Sequence, residues 1–380
     1  MSMKVLTIGV GLAGSRFTES LSNKLTTLEE KNTPIYVNIC SEELNIFNTT
    51  TSSEKVRVGD ITGGAGKSRD MAINVFTEKF DYYNFIGKIK KRVIEEDIDI
   101  ITVSFSTSGG TGSGISPLLI KMLQQFIENE QISDKNVIVI GIALLPSFNE
   151  GIGVFRNTLL TLNDINKSIK TGARYILVKN NATEGINFTE KCLYVNENAS
   201  QLIKEYITGS KEISKNGVLD ISDRKMGLEF PGLHSISRLK DCDIVKSPFI
   251  TPGSSLTKMM LCEIPDENSD MFEAVVSSGR SLDFKFGYTS SKQGLVAHHG
   301  FNNLTKETVS YRKRFDDLKA LDTEGDIDTG ANSLESLKAD VLHYHIKKDN
   351  SNNCKTEKIS KEDRNITLKE IISEFKDFSI

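Results

Sequence analysis

Short runs of aliphatic and β-branched residues recur through the first half of the chain, at 4–9, 35–40, 98–105, 136–145 and 173–179, and each reads as a buried strand. Between them apolar residues fall at helical spacing, as in Leu118, Leu119, Met122, Leu123, Phe126 and Ile127. Ser116-Pro117 lies in that helix's first turn or two, where proline is tolerated if it falls within the opening turn. Strands alternating with helices over short connections predict an α/β fold with a doubly wound parallel sheet. Sheets of this kind bind ligands at the carboxyl ends of their strands.

A second amphipathic helix is predicted over 195–209, with Val195, Ala199, Leu202, Ile203, Tyr206 and Ile207 on one face and Gly209 as its stop. Past about residue 228 the pattern turns to strand-like pieces, including Leu256–Ile264 and Leu295–His299, and predicts a smaller α+β domain. Leu304, Thr308, Tyr311, Phe315 and Leu318 then recur at four-three spacing, as in a helix packed on the body. Residues 323–365 are polar and charged and read as a mobile tail. In the last stretch Thr367-Leu-Lys-Glu370 is a capping box that opens an amphipathic helix over 366–379, with Ile371, Ile372, Phe375 and Phe378 to bury.

Composition removes several function classes. At 380 residues the chain suits about two domains, and a net charge of −4 gives no general pull toward nucleic acid or an anionic membrane. No apolar stretch is long enough to span a bilayer, and the N-terminal pattern is a strand leading into a glycine loop rather than a secretory leader. The cysteines Cys40, Cys192, Cys242, Cys262 and Cys354 are scattered without a C-x-x-C pair, as expected of reduced thiols in the cytoplasm. His298-His299 has no third ligand spaced to help it and reads as a strand-end pair, not a metal site.

The chemistry lies in the glycines. Ser108-Gly109-Gly110-Thr111-Gly112-Ser113-Gly114 follows the strand 98–105 and opens a helix. Glycines let backbone N–H groups close around a ligand, and the helix start adds partial positive charge, so this is a polyphosphate cradle. Gly9-Val-Gly11-Leu12-Ala13-Gly14-Ser15-Arg16 follows the first strand. Taken alone it fits a dinucleotide-binding fold equally well, with Glu42 for a ribose, and an NAD-dependent oxidoreductase is the remote rival; that reading gives the loop at 108–114 no role. Thr62-Gly63-Gly64-Ala65-Gly66-Lys67-Ser68 is not a Walker A loop, because Ile61 stands where its first glycine is required and Gly59-Asp60 breaks the chain upstream.

In this order the segments resemble the tubulin/FtsZ GTPase superfamily. The resemblance implies that residues 62–66 form the loop that senses the γ-phosphate, with a backbone nest for it. It implies that Glu150, in Pro146-Ser-Phe148-Asn-Glu150-Gly151, accepts a ribose hydroxyl; Arg156 is displaced by two positions from the family's arginine. Tyr194 and Asn198, one helical turn apart, match the family's aromatic and asparagine that stack on guanine and read its edge, and Asn180 or Asn181 adds a polar contact. Asp220 and Asp223 match the acidic pair that completes the nucleotide site of the next subunit, although Val218 stands where the family has an asparagine, with Asn216 two positions before it. GTP and GDP are the implied ligands, with Mg2+ held through phosphates and water, and a head-to-tail filament of this chain is the implied assembly.

Among the branches, the first loop and the charged tail look most like the plasmid- and phage-borne TubZ group, which segregates DNA by moving filaments. That likeness implies a DNA-binding adaptor on the C-terminal tail and centromere-like DNA as cargo. Lys347, Lys348, Lys355, Lys358 and Lys361 are interspersed with Glu357, Glu362 and Asp363, which disfavours direct DNA binding. An FtsZ-like division scaffold and a phage spindle protein that centres DNA are the rivals of the same fold. The expected division is 1–193 for the nucleotide-binding domain, 194–227 for the central helix and catalytic loop, 228–322 for the C-terminal domain and 323–380 for the tail.

Overall fold

The computed structural model of the chain describes residues 2–27, 32–48, 53–59, 61, 63–130, 136–180, 187–209, 214–240, 243–244, 247–266 and 280–324. The expected terminal helix over 366–379, Thr62 and Asn181 lie outside these residues. Residues 1–315 make one compact unit and 316–380 a second. The expected division at residue 228 falls at the end of a helix inside the first unit.

Strands β1 (Val5–Val10), β4 (Ile100–Ser106), β5 (Ile138–Leu144) and β6 (Arg174–Val178) are buried over almost their whole length. Aliphatic side chains on both faces have this effect when helices cover both sides of a parallel sheet. β2 (Ile35–Asn38) and β3 (Glu54–Arg57) extend the sheet on one side, both in parallel register. On the other side β7 (Gly232–Lys240) pairs in parallel with β6, with Arg174 opposite Gly232. Beyond β7 the sheet becomes mixed. β11 (Gly294–Phe301) runs antiparallel to both β7 and β9 (Thr257–Pro265), and β10 (Ser281–Thr289) closes that edge parallel to β9. The two-residue β8 (Asp243–Ile244) pairs with β7, and the full order is β10-β9-β11-β7-β6-β5-β4-β1-β2-β3.

Helices α1 (Gly11–Leu25), α2 (Ser41–Asn45), α3 (Arg69–Lys79), α4 (Tyr82–Glu95), α5 (Gly110–Glu130), α6 (Ile152–Lys170), α7 (Phe188–Thr208), α8 (Ile221–Glu229) and α9 (Thr305–Glu324) complete the described elements. α7 begins at Phe188, ahead of the expected residue 195. Asn187 caps it by accepting from the Glu190 amide at 3.0 Å, while the apolar stripe starts only at Val195. That stripe packs with Phe17 and Leu21 of α1 and with Ile140, Ile142 and Ile176 of the sheet.

A buried polar network links α7 to α8 and the mixed strands. The Tyr206 hydroxyl donates to the Arg224 carbonyl at 2.7 Å and lies 3.0 Å from His299 Nε2. His299 Nδ1 in turn faces His234 Nδ1 at 3.0 Å, and Arg224 pairs with Glu263 at 3.1 Å. Burial pushes His298 down to about 4 and His234 down to about 3, so these rings are neutral at neutral pH. His298 and His299 lie within β11, and no group of three His, Cys, Asp or Glu side chains fit to hold a metal occurs among the described residues. No described helix is long and apolar enough to cross a membrane.

Candidate functional site

A cleft of about 590 Å³ opens at the carboxyl ends of β1, β4, β5 and β6, where the three glycine loops meet. The first loop contributes Gly11, Leu12, Ala13 and Arg16, and the second Ser108, Gly109, Gly110, Thr111 and Gly112. The loop ahead of α3 contributes Gly63, Gly64, Ala65, Gly66 and Lys67. Glu150 and Asn180 complete the expected residues that line it.

Three of the expected residues stand behind the cleft wall instead. A Cβ on Gly14 would come 2.2 Å from the Ser104 carbonyl oxygen, so this glycine packs α1 against β4 and does not face the ligand. Ser15 is buried with its hydroxyl 3.5 Å from the Gly9 carbonyl. The Ser113 hydroxyl donates back to the Gly109 carbonyl inside the first turn of α5.

The carbonyl of Ser113 has no partner in its own helix, because the residue four positions on is Pro117, which lacks an N–H. It accepts from Arg69 Nε at 3.2 Å, and Arg69 also forms an ion pair with the buried Asp164 of α6. A proline inside α5 thus frees the acceptor that ties α3 to the phosphate loop.

At the other end of the cleft the expected base-reading pair is displaced. Tyr194 is 57% exposed, and neither it nor Asn198 lines the cleft. Phe188, Cys192, Val195 and Asn196 do. The early start of α7 places 188, 192 and 196, each one turn apart, on the cleft side, and 194 falls on the solvent side. Asn180 donates to Cys192 Sγ at 3.7 Å, while its buried Oδ1 has no hydrogen-bond partner in the structure. An unused amide acceptor beside a second asparagine suits the donor edge of a purine. Burial raises the Cys192 thiol above its ordinary value, against the Asn180 amide, so it stands protonated at neutral pH.

Glu150 sits at the lip between these ends. Its carboxylate accepts from the Ser147 amide at 2.9 Å. Burial raises its pKa, while that hydrogen bond and the charge of Lys67 act the other way. The loop is buttressed by α9: the Tyr311 hydroxyl donates to the Pro146 carbonyl at 3.0 Å, the Tyr311 ring stacks on Phe148 at 4.8 Å, and Arg314 Nε donates to the Phe148 carbonyl at 3.0 Å. Arg156 is exposed on α6 and does not line the cleft.

Asp220 and Asp223 stand outside the cleft. They form a reciprocal capping box at the start of α8: the Asp223 amide donates to Asp220 Oδ1 at 2.8 Å, and the Asp220 amide to Asp223 Oδ2 at 3.3 Å. Asp223 Oδ1 also takes Lys285 Nζ from β10, and that hydrogen bond raises the lysine pKa. Asn216 pairs with Asp266 at 3.0 Å and not with either acid, and Val218 is exposed beside them.

The Tubulin/FtsZ family, GTPase domain, matches residues 4–187. The tubulin-like protein CetZ of Thermococcus kodakarensis is 30% identical over 310 residues, which cover 78% of this chain and 70% of that protein. CetZ of Pyrococcus abyssi is 26% identical over 310 residues, covering 78% and 73%. Among solved structures, Clostridium botulinum phage c-st TubZ aligns with a TM-score of 0.66 at 18% identity, covering 84% of this chain and all (100%) of that one. A GTPγS-bound protofilament of CetZ2 from Haloferax volcanii aligns with a TM-score of 0.65 at 18% identity, covering 83% and 100%. At such identities the alignments establish a common fold.

Proposed function

Because the chain belongs to the tubulin/FtsZ family, we propose that it binds GTP in the glycine-loop cleft, stacks head to tail into filaments and hydrolyses GTP where two subunits meet. The observation that supports this most is the separation of the cleft from Asp220 and Asp223, which stand on a different surface of the same subunit.

In this reading Asn180 and Asn196 hold the guanine edge, and Glu150 accepts a ribose hydroxyl. Backbone N–H groups at the start of α5 and in the 63–66 loop take the phosphates. Asp223 of the next subunit orients the attacking water and accepts its proton, which is the chief demand of phosphoryl transfer beyond charge stabilisation. Each oxygen of Asp223 accepts one hydrogen bond within its own subunit and keeps a further lone pair for a water. Magnesium would be held through phosphate oxygens and water and would supply neutralisation of phosphate charge.

Turnover per subunit is expected to climb steeply above a threshold protein concentration. Asp223→Ala is expected to keep GTP binding and lose turnover by about 100-fold or more. Full-rate hydrolysis by a subunit too dilute to associate, or loss of GTP binding in Asp223→Ala, would sink the reading.

For the cellular role we propose cytoplasmic segregation of plasmid or phage DNA, through a DNA-binding adaptor held by the C-terminal tail. Support comes from the fold likeness to phage c-st TubZ and from the lysine-bearing tail sequence. The 30% identity to the tubulin-like protein CetZ, together with the CetZ2 protofilament of the same fold, supports a second reading, a filament with a role other than DNA segregation. Removing 350–380 decides between them. In the first reading assembly persists and co-sedimentation of a DNA-binding protein encoded beside this chain is lost; in the second there is no such protein to lose.

A further inference from the structure

Lys67 and Asp97 are the only described non-glycine residues in the left-handed region, and Lys67, at φ 63°, lines the cleft. A glycine or asparagine adopts that backbone with less strain. The strain is held from both sides. Asn157, buried on α6, donates its side-chain amide to the Lys67 carbonyl at 2.9 Å and to the Ser108 carbonyl at 3.1 Å, stapling the two phosphate loops together. The Ser68 amide donates to the Ala65 carbonyl at 2.7 Å, and the Ser68 hydroxyl caps α3 by accepting from Met71 at 3.2 Å. The next residue, Arg69, is tied to Ser113 and Asp164.

This fixed turn lies on the first residue of α5. A Cβ added to Gly110 would come within 2.9 Å of Ala65 Cβ and 3.0 Å of both the Lys67 carbonyl carbon and the Ser68 nitrogen. The side chain of Lys67 is exposed; its charge acts on Glu150, without a direct ion pair to it among the described residues. The other charged side chains lining the cleft are Arg16, Glu43 and Glu150. Of the two cations, Lys67 is the one carried by the loop that covers the helix start, where phosphate binds most strongly.

We propose that Lys67 contacts the terminal phosphate of GTP and lets the cleft tell a triphosphate from a diphosphate, with Asn157 as the positioning residue behind it. The proposal rests on the guanine-nucleotide reading above and adds a charge to a loop whose expected role was backbone alone. Strain in a functional loop is then explained: the left-handed turn aims an ammonium at the ligand, where a glycine would relax the backbone and supply no charge.

Titration of the full chain with GTPγS and with GDP tests it. Lys67→Met keeps the backbone strap and removes the charge; GTPγS affinity is expected to fall about 10- to 100-fold, with GDP affinity within about twofold. Lys67→Gly should match the methionine variant, Lys67→Arg should keep the preference for GTPγS, and Asn157→Ala should erode that preference with the ammonium still present. An unchanged GTPγS-to-GDP ratio in Lys67→Met, or an equal loss of both affinities, would overturn the proposal. Failure of the unaltered chain to bind either nucleotide would instead remove the reading on which it rests.

Discussion

At the end of the cleft proposed to hold the phosphates the lining is rich in glycine, in Gly11–Ala13, Gly63–Gly66 and Gly109–Gly112. The side chains that shape this end lie behind it: Asn157, Arg69 and Asp164 pull the loops and α6 together, and Gly14 lets α1 sit on β4. At the base end the order is reversed. The proposed base end is lined by residues with larger side chains, Phe188, Cys192 and Asn196 from the exposed first turns of α7 and Asn180 from the end of β6, and the buried residues of α7 begin only at Val195. A phosphate carries the same charge whatever nucleoside it belongs to, so a rigid backbone nest suffices for it. Telling one base from another requires side-chain donors and acceptors at set positions.

The comparison predicts that equally small substitutions act in different ways at the two ends. Gly14→Ala has no room, because its Cβ would press on the Ser104 carbonyl oxygen at 2.2 Å and on Phe105 Cα at 2.8 Å, neither of which can swing aside. We expect a loss of about 3 kcal/mol in stability, seen as a lower thermal midpoint, with nucleotide binding lost alongside. If Gly14→Ala melts and binds as the unaltered chain does, the phosphate end is not the rigid half.

At the base end the expected effect is on choice of ligand and not on folding. Asn196→Ala should weaken GTP binding about tenfold and blunt the preference for GTP over ATP, with stability changed by less than about 1 kcal/mol. Asn198→Ala should leave affinity within about threefold. Competition between GTP and ATP in each variant separates the two, and the opposite ranking would return the role to Asn198.

The same contrast explains what is legible in the sequence. Glycine spacing after a strand is a backbone requirement, so the loops at 11–16 and 108–113 can be placed from the order of residues alone, while the loop at 63–66 comes to the site through the family resemblance. The order of strands and helices is readable for a similar reason, since burial on both faces of the sheet demands long aliphatic runs. The residues at the proposed base end escape this because their placement depends on which face of α7 turns to the cleft and on where its first turns begin. α7 starts on exposed residues with no apolar stripe, so the pattern puts that start at Val195, and Tyr194 and Asn198 come to the cleft only through the family resemblance. The asparagine cap at Asn187, followed by Glu190, is the available clue. Asn157 gives no sequence signal at all; its role exists only because α6 crosses behind two loops distant from it in the chain.

Glu150 lies between the two ends and shows the smallest expected effect, with its sign set by pH. Burial raises its carboxyl pKa in the folded protein, so the neutral form is the one the fold prefers. The stability contributed by such a group is present below its unfolded pKa, about 4.3 for glutamate, and is lost as pH rises through the raised folded value. At neutral pH the ionised side chain therefore works against the nucleotide-free protein. Glu150→Gln keeps an acceptor for the Ser147 amide and removes the charge, so it should raise the thermal midpoint slightly at pH 7, with the gain disappearing near pH 4. With GTP bound the same substitution should act the other way, because a carboxylate is the stronger acceptor for a ribose hydroxyl. Melting curves across pH, with and without nucleotide, separate these two effects. A midpoint lowered at neutral pH in the nucleotide-free protein would mean that the charge stabilises the 146–150 loop, and that the lip of the cleft belongs with its rigid half.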